Sequence, residues 1–249
     1  MRNDDDAEAQ QRAYYAQTAA EYDARHVHEG DEHHEAIDHV LGVIAALGAE
    51  SALDVGAGTG RTVQRLRQDA VGLKRVVGIE PVAELVAEGH AKGVPADMLV
   101  VGDGRALPFA DQSFDVVIET GVLHHVAKPR AVVREMLRVA RRGVFLSDSN
   151  RFGQGPLLAR LAKLGLVGAG LWPLANRVKT RGKGYLYSEG DGVSYSYSVF
   201  DDLATLTAWA DRVYTVPLGA RTATPPHLAA WTGSLLVAPQ VLVCALRTR

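Results

Sequence analysis

The chain contains the stretch Ala52-Leu53-Asp54-Val55-Gly56-Ala57-Gly58-Thr59-Gly60, in which a short apolar run ends in an acidic residue and continues into alternate glycines. After it, Val63, Leu66 and Ala70 recur at helical spacing, so the stretch predicts a strand, a tight turn and a helix. Glycine lets the backbone turn sharply or approach a ligand closely. The first turn of the following helix offers unpaired N–H groups to whatever lies there. The stretch therefore predicts a ligand-binding turn.

An acidic residue, Glu80, follows at the end of a second apolar run, Val76-Val77-Gly78-Ile79. In a doubly wound nucleotide-binding fold, a carboxylate at this place accepts hydrogen bonds from ribose hydroxyls. Nicotinamide enzymes space their glycines G-x-G-x-x-G, whereas this turn reads G-x-G-x-G with Arg61 directly after it. The pattern therefore argues against a nicotinamide and favours another ligand that contains adenosine.

Strands and helices alternate regularly beyond this point. The pattern predicts strands at 51–55, 75–80, 97–102, 114–119 and 143–148, separated by helices at 60–70, 81–92 and 130–141. Two further helices are predicted at about 7–25 and 32–47, and two last strands at about 212–218 and 240–247. Such βαβ units indicate a parallel sheet with helices on both faces, in a single domain over residues 1–249.

The composition excludes several classes of protein. The 249 residues are 47% hydrophobic and 22% charged, as in an ordinary soluble globule. A net charge of −2 gives no general attraction to nucleic acid. No apolar run is long enough to span a membrane, the acidic N-terminus lacks an apolar signal segment, and Cys244 is the only cysteine. We expect a cytoplasmic protein without nucleic-acid or membrane partners; a homodimer is left open.

An ordered set of motifs resembles the class I S-adenosylmethionine-dependent methyltransferases that act on small molecules, of the methyltransferase type 11 kind. The set consists of the glycine turn, Gly78-Ile79-Glu80-Pro81, Gly102-Asp103-Gly104, Leu107-Pro108-Phe109 running into Ser113-Phe114-Asp115-Val116-Val117, Leu123-His124-His125-Val126 and Arg134-Glu135-Met136-Leu137-Arg138-Val139. The resemblance covers residues 50–148. One departure is that the family's usual Pro-Gly-Gly turn before the fifth strand is replaced by Arg141-Arg142-Gly143.

The resemblance implies an α/β fold with a Rossmann-like, doubly wound seven-stranded sheet whose last strand runs antiparallel. A helical and loop cap over the active site would be made by residues 1–48 and 151–198. The implied cofactor is S-adenosylmethionine and the product S-adenosylhomocysteine. The acceptor is expected to be a small metabolite, with oxygen as the first choice of atom and nitrogen, carbon or sulfur as alternatives. A different reaction of the same cofactor, or a non-catalytic cofactor-binding module, is left open.

The same resemblance implies which residues contact the cofactor. They are Tyr14, Tyr22, Asp54, Gly56, Ala57, Gly58, Gly60, Glu80, Pro81, Asp103, Gly104, Glu119 and Thr120. Glu80 would accept both ribose hydroxyls, and Asp103 would accept the adenine amino group. Tyr14 and Tyr22 either close over the cofactor or pack their rings in the core.

His124 and His125 follow the fourth strand and are the candidate catalytic residues. A neutral imidazole has a pKa suited to a general base, which the reaction needs only if the acceptor must lose a proton. The alternative is a structural role, in which one ring packs and the other binds backbone.

Candidate substrate-binding residues are tyrosines in the predicted insertion, namely Tyr185, Tyr187, Tyr195 and Tyr197, together with His28. Tyrosines at a spacing of two face one side of a strand and offer apolar rings with polar tips. A plain half-buried hairpin explains the same pattern. The His-rich stretch from His26 to His34 has no recognised metal-ligand spacing, so we predict a solvated linker there and no metal site.

Overall fold

The computed structural model describes residues 2–28, 30–219 and 234–247, without side chains for 2–5. Glu29, within the His-rich stretch, lies outside these ranges. The described strands are β1 Ser51–Val55, β2 Arg75–Glu80, β3 Leu99–Val101, β4 Phe114–Thr120, β5 Ala140–Ser149, β6 Tyr185–Ser188, β7 Gly192–Tyr195, β8 Arg212–Leu218 and β9 Gln240–Leu246. The described helices are α1 Arg2–Thr18, α2 Tyr22–His26, α3 Glu32–Leu47, α4 Arg61–Asp69, α5 Ala83–Ala91, α6 Pro129–Val139, α7 Leu157–Gly168, α8 Trp172–Lys179 and α9 Leu203–Trp209.

Seven strands form one sheet in the order β3-β2-β1-β4-β5-β9-β8. β1 to β5 run parallel, and β9 lies antiparallel between β5 and β8. The predicted doubly wound, Rossmann-like seven-stranded sheet with an antiparallel last strand is therefore confirmed. The order reverses between β1 and β4, and ligands bind outside the carboxyl ends of the strands at such a point.

The core consists of two apolar layers, one on each face of the sheet. One layer contains Leu53 and Val117 from the strands with Val132 and Met136 from α6. The other packs α3, α4 and α5 against residues such as Ala52. Neighbouring residues of β1 thus enter opposite layers, because side chains alternate along a strand. This explains why β1 is buried along its whole length.

Three local predictions differ from the structure. The predicted helix at 7–25 is interrupted by a 3₁₀ turn at Ala19–Glu21. Arg141-Arg142-Gly143 does not form a turn, because β5 already begins at Ala140, with a register irregularity against β4 between Phe114 and Val116. The sequence also predicts a helix break at Trp172-Pro173, but this pair begins α8, since the first turn of a helix needs no N–H from proline.

The N-terminal helix and the β6–β7 hairpin contact each other. The Val193 N–H donates to the Gln11 side chain, and the Tyr14 hydroxyl donates to the Glu189 carbonyl at 3.0 Å. Both segments lie beside the sheet edge where the strands end, as the predicted cap requires. That they cover an acceptor remains a prediction.

Candidate functional site

The carboxyl ends of β1, β2 and β4 surround a cavity, here called the strand-end cavity. The sheet contributes Val55, Gly56, Glu80, Pro81, Val82, Asp103, Gly104, Thr120, Gly121 and Val122, and the N-terminal helices contribute Glu8, Gln11, Arg12, Tyr15 and Tyr22. The predicted cofactor-binding residues Gly56, Glu80, Pro81, Asp103, Gly104, Thr120 and Tyr22 are thus brought together. Asp54, Ala57, Gly58, Gly60 and Glu119 lie in the same turn or strands without forming the cavity wall.

The glycine turn requires its glycines. Gly56, Gly58 and Gly60 have φ values of 77°, 55° and 87°, in the left-handed region that residues with a Cβ avoid. A Cβ on Gly56 would lie only 2.3 Å from a methyl carbon of Val122. The N–H groups of Gly56 and Ala57 donate to the Ile79 carbonyl at 2.8 and 3.1 Å. The turn is therefore held against the end of β2, with its backbone on the cavity wall.

Glu80 ties this turn to the strand end. Its buried carboxylate accepts the Gly58 N–H at 3.1 Å and the Val82 N–H at 3.0 Å. Burial raises the pKa of Glu80 to about 7, although both hydrogen bonds favour the charged form. The carboxylate thus orders the turn and also faces the cavity, where the sequence predicts contacts to ribose.

Two more buried carboxyl groups lie near the turn. Among the described residues, no donor meets Asp54 or Oε1 of Glu119 at full hydrogen-bond geometry, although the nearby Thr62 side chain favours the charged form of Asp54. Burial raises the pKa of Asp54 to about 7 and that of Glu119 well above its usual range. Buried carboxylates without partners are costly, so this end of the sheet is suited to a ligand that brings a positive charge or hydrogen-bond donors.

Asp103 is occupied by arginines. Its carboxylate accepts Arg12 at 2.9 Å and Arg105 at 2.8 Å, while Arg105 also pairs with Glu8 at 2.7 Å. The Arg105 hydrogen bond holds the pKa of Asp103 well below its usual range, against the effect of burial. Acceptance of an adenine amino group by Asp103 would add to or replace these bonds, and it remains a prediction.

The N-terminal tyrosines take different places. Tyr22 lies over the glycine turn, 3.0 Å from the Cβ position of Gly58, and Tyr15 lines the cavity. Tyr14 instead points to the hairpin, where its hydroxyl binds Glu189 and its ring meets Tyr187 edge-on. The structure therefore places Tyr15 where Tyr14 was predicted. The rotation of the helix about its axis decides this, and adjacent tyrosines do not reveal it.

The two candidate catalytic histidines lie in a 3₁₀ turn directly after β4. His124 Nδ1 is 2.8 Å from Asp148, a buried carboxylate at the end of β5. Burial disfavours the charged ring, but Asp148 and Asp191 outweigh it and raise the pKa of His124 to about 10. The ring is then cationic at neutral pH, which does not suit a general base.

His125 lines the strand-end cavity. Its Nδ1 lies 2.6 Å from the Val193 carbonyl and 3.1 Å from the Gln11 amide nitrogen, and the shorter contact favours a proton on Nδ1. Its Nε2 is 3.1 Å from the Tyr15 hydroxyl and 3.4 Å from Asp191. Burial raises the pKa of Tyr15 well above its usual range, so its hydroxyl keeps its proton beside this nitrogen. A role as general base remains a prediction for His125.

A second cavity of about 290 Å³, here called the polar cavity, lies on the other side of these histidines. Its wall includes His124, Ser149, Arg151, Lys163, Trp172, Asn176, Lys179, Asp191, Tyr195 and Tyr197. Of the predicted substrate-binding residues, Tyr195 and Tyr197 lie in this wall. Tyr185 and Tyr187 lie on β6 outside both walls, and His28 is exposed and binds the Arg25 carbonyl at 3.1 Å.

The His-rich stretch is more ordered than predicted. Asp31 caps α3 by accepting the His34 N–H at 2.9 Å, and it pairs with Arg61 at 3.0 Å. The His33 ring lies against Gly121, 2.7 Å from the Cβ position of that glycine. The solvated-linker prediction is therefore wrong for this part, because α3 begins inside the stretch.

Sequence reasoning missed several residues of the site, namely Gln11, Arg12, Tyr15, Arg105, Asp148, Arg151 and Asp191. Asp148 had a usable signal, because it ends a strand of the parallel sheet and such ends meet at one edge. Asp191 lies in the turn between β6 and β7, far from His124 along the chain. No local pattern connects them.

No helix in the described ranges 2–28, 30–219 and 234–247 has the length and apolar character needed to cross a membrane. Residues 53–147 match the family model described as a methyltransferase domain. The chain is 36% identical over 150 residues to a demethylmenaquinone methyltransferase of Beutenbergia cavernae, covering 60% of each chain. It is 36% identical over 105 residues to an uncharacterized methyltransferase of Mycobacterium leprae, covering 42% of this chain and 38% of that protein. The matches thus leave a large part of each relative uncovered.

Solved structures share the fold over most of the chain. Magnesium protoporphyrin IX methyltransferase from Synechocystis, solved with bound S-adenosylhomocysteine, has a TM-score of 0.58 at 19% identity and covers 95% of this chain and 98% of its own. A Thermotoga maritima S-adenosylmethionine-dependent methyltransferase, described as a possible histamine N-methyltransferase, has a TM-score of 0.56 at 17% identity, with 96% and 100% covered. At these identities the likeness is one of fold.

Proposed function

We infer that this chain, whose residues 53–147 form a methyltransferase domain within the class I S-adenosylmethionine-dependent fold, transfers the methyl group of S-adenosylmethionine to a small molecule. S-Adenosylmethionine is the cofactor of this class, and S-adenosylhomocysteine is its product. The methyltransferase domain includes the glycine turn, Glu80 and both histidines, so the catalytic machinery of the proposal falls inside the matched segment.

The observation that carries the proposal is the set of buried carboxyl groups around the glycine turn. S-Adenosylmethionine bears a sulfonium and an ammonium group, and its ribose has two hydroxyl donors. Among the described residues, no donor meets Asp54 or Oε1 of Glu119 at full hydrogen-bond geometry, and Glu80 faces the cavity. Asp54 and Glu119 lie behind the cavity wall, so a cationic ligand in the cavity would act on them through its charge, while its hydroxyl donors would reach Glu80.

The residues of the strand-end cavity have separate roles in this proposal. The glycine turn brings the backbone close to the cofactor, and Glu80 accepts the ribose hydroxyls. Tyr15 and Tyr22, held by the N-terminal helices, exclude water from the reacting centre. The sulfonium already activates the methyl group, so the chain mainly aligns donor and acceptor and keeps the site dry.

We place the acceptor in the polar cavity, which adjoins the strand-end cavity at His124 and His125. Its wall contains Lys163, Lys179 and Arg151, of which Arg151 already pairs with Asp201, and among the described residues of the wall Asp191 supplies the one carboxylate. Burial, and then the nearby Lys179 charge, lower the pKa of Lys163. An acceptor with an anionic group relieves this clustering of positive charge. The proposed substrate is therefore a small polar molecule with a carboxylate or phosphate, methylated at oxygen.

The test is transfer of radiolabel from methyl-labelled S-adenosylmethionine to fractionated metabolites, with anionic and neutral fractions assayed separately. We expect labelled product from an anionic fraction. The Glu80→Gln variant should require more cofactor for the same rate, whereas Glu84→Gln, an exposed change on α5, should behave as the wild type.

Other results would point elsewhere. If label appeared only in the neutral fraction, the proposal of an anionic acceptor would be wrong, but the proposal of methyl transfer would stand. Tight cofactor binding without transfer to any fraction would indicate a binding module. Products without label would indicate a different reaction of the same cofactor.

A further inference from the structure

We propose that His124, His125 and Asp191 bind a divalent first-row transition-metal ion, of which Zn²⁺ is the representative, at the boundary between the two cavities. His125 lines the strand-end cavity, whereas His124 and Asp191 line the polar cavity. The sequence pattern predicts no metal site, because Asp191 joins the histidines only through the fold.

The distances suit one ion. One ligand atom from each residue lies within 4.8 Å of the other two. The Asp191 carboxylate is 3.4 Å from His125 Nε2 and 3.8 Å from His124 Nε2. Tetrahedral bonds of about 2.0–2.1 Å place neighbouring ligand atoms about 3.3 Å apart. Only small side-chain movements separate the observed positions from that geometry.

Hydrogen bonds at Nδ1 of both histidines leave Nε2 of each ring available to bind a metal. His124 directs Nδ1 to Asp148 at 2.8 Å, and His125 directs Nδ1 to the Val193 carbonyl at 2.6 Å. Asp148 is itself fixed by the Leu123 N–H at 2.7 Å. Histidines that bind metals donate their second ring N–H to a carboxylate or carbonyl in this way. Both Nε2 atoms are thereby oriented towards Asp191, and metal binding would release the Nε2 proton of the cationic His124 ring.

The donor set selects the type of metal. Two imidazole nitrogens and one carboxylate suit Zn²⁺ and its first-row neighbours, whereas Mg²⁺ and Ca²⁺ prefer oxygen ligands. Three protein ligands also leave a position for an exogenous oxygen. Binding at His125 Nε2 replaces the hydrogen bond between this nitrogen and the Tyr15 hydroxyl, 3.1 Å away.

The position of the ion suggests that it activates the acceptor. This inference rests on the proposed methyl transfer. An acceptor oxygen that enters from the polar cavity would meet the ion beside the strand-end cavity. A metal lowers the pKa of a bound hydroxyl, so an acceptor held there would lose its proton to water in the polar cavity. Its oxygen would then bond to the methyl carbon as the carbon–sulfur bond breaks and S-adenosylhomocysteine leaves. Both histidines then act as metal ligands rather than as proton acceptors.

The test measures metal binding without cofactor or acceptor. Tag-free protein comprising residues 1–249, stripped with a chelator, is titrated with Zn²⁺ by calorimetry and with Co²⁺ by visible absorption. We expect one ion per chain and cobalt d–d bands of a low-coordinate site. His124→Ala and Asp191→Asn should each weaken binding at least tenfold, while His39→Ala, a change to a histidine that binds Tyr214 on the far side of α3, should leave it unchanged.

Circular dichroism and thermal melting establish that the variants are folded, and Asp191→Asn changes a turn side chain that is 47% exposed. Affinity that persists in both ligand variants and disappears in His26→Ala or His28→Ala would assign the metal to the N-terminal histidines and overturn the proposal. Lack of binding in the wild type would also overturn it. Separate calorimetry with S-adenosylhomocysteine shows whether the cofactor site has failed as well.

Discussion

The strand-end cavity and the polar cavity are neighbours, but the chain builds them differently. Apart from the N-terminal helices, the first is made by strand ends and turns between residues 55 and 132, where carboxylates are buried around a glycine turn. The second combines the end of β5, α7, α8 and the β6–β7 hairpin, and its wall is rich in cations. Under the proposed function, this difference would let a cationic cofactor and an anionic acceptor lie side by side, each against a surface of opposite charge.

The largest effect is expected from Gly56→Ala, which should disrupt the strand-end cavity and leave the polar cavity unchanged. The new methyl group meets Val122, and the residue must keep a φ of 77°. We expect cofactor affinity to fall a hundredfold or more and stability to fall by about 1–3 kcal/mol. Calorimetry with S-adenosylhomocysteine and thermal melting measure both quantities. Gly42→Ala, in the open middle of α3, is the matched control and should raise stability by about 0.5–1 kcal/mol.

The second prediction concerns pH and the buried carboxyl group of Asp54. Its folded-state pKa is raised from 3.8 to about 7, so its contribution to stability is fully present below pH 3.8 and is lost as pH rises through 7. The wild type should therefore be less stable at pH 8 than at pH 5, by on the order of 2 kcal/mol from this group. Urea denaturation should show a smaller decrease for Asp54→Asn. Equal decreases in both proteins would contradict the raised pKa of the buried Asp54 carboxyl group.

Glu80→Gln should have the next largest effect. It retains the shape of the side chain but replaces a charged acceptor of the ribose hydroxyls, and hydrogen bonds to charged groups contribute about 1.5–3 kcal/mol. We expect S-adenosylhomocysteine to bind about tenfold more weakly, and stability to fall by about 1–3 kcal/mol, because the amide can accept only one of the Gly58 and Val82 N–H groups. If the affinity for S-adenosylhomocysteine were unchanged, Glu80 would not contact the cofactor as proposed.

The smallest effect on the cofactor is expected from Lys163→Met, which changes the polar cavity. Its ammonium group is 2.9 Å from the carbonyls of Arg151 and Gln154, away from the glycine turn. Cofactor affinity should change less than twofold, whereas transfer to an anionic acceptor should decline. The exposed change Lys183→Met is the control for transfer. A large loss of cofactor affinity in Lys163→Met would show that the cofactor also depends on the polar cavity, so that the two cavities act as one binding site.

The same contrast explains how much the sequence can predict. β1, the turn and α4 are contiguous, and their pattern is local, so Gly56 and Glu80 can be assigned before any fold is known. The choice between Tyr14 and Tyr15 depends on how α1 rotates against the sheet, and nothing in the sequence determines this rotation. The pairing of Arg12 with Asp103 also depends on how α1 packs against the sheet, and Arg105 joins the same carboxylate.

The polar cavity is almost wholly a product of tertiary packing. Asp191 reaches His125 because the hairpin folds back over the end of β4, across a long separation in the chain. Tyrosines at a spacing of two predict the hairpin correctly, but β6 carries Tyr185 and Tyr187 away from the cavity wall. Tyr197 lies beyond β7, and its buried hydroxyl binds Asp202 at 3.0 Å. The spacing of residues predicts which side chains share one face of a strand, but it does not predict which part of the molecule that face contacts.

Hydrogen–deuterium exchange with and without S-adenosylhomocysteine tests the central claim most directly, because it reports where the cofactor binds. The division into two cavities predicts strong protection at residues 55–60, 80–82 and 102–105 and in the N-terminal helices over 8–22. Peptides from α7 and α8 should exchange at unchanged rates. Protection confined to α7, α8 and the polar cavity, or no change anywhere, would contradict the account.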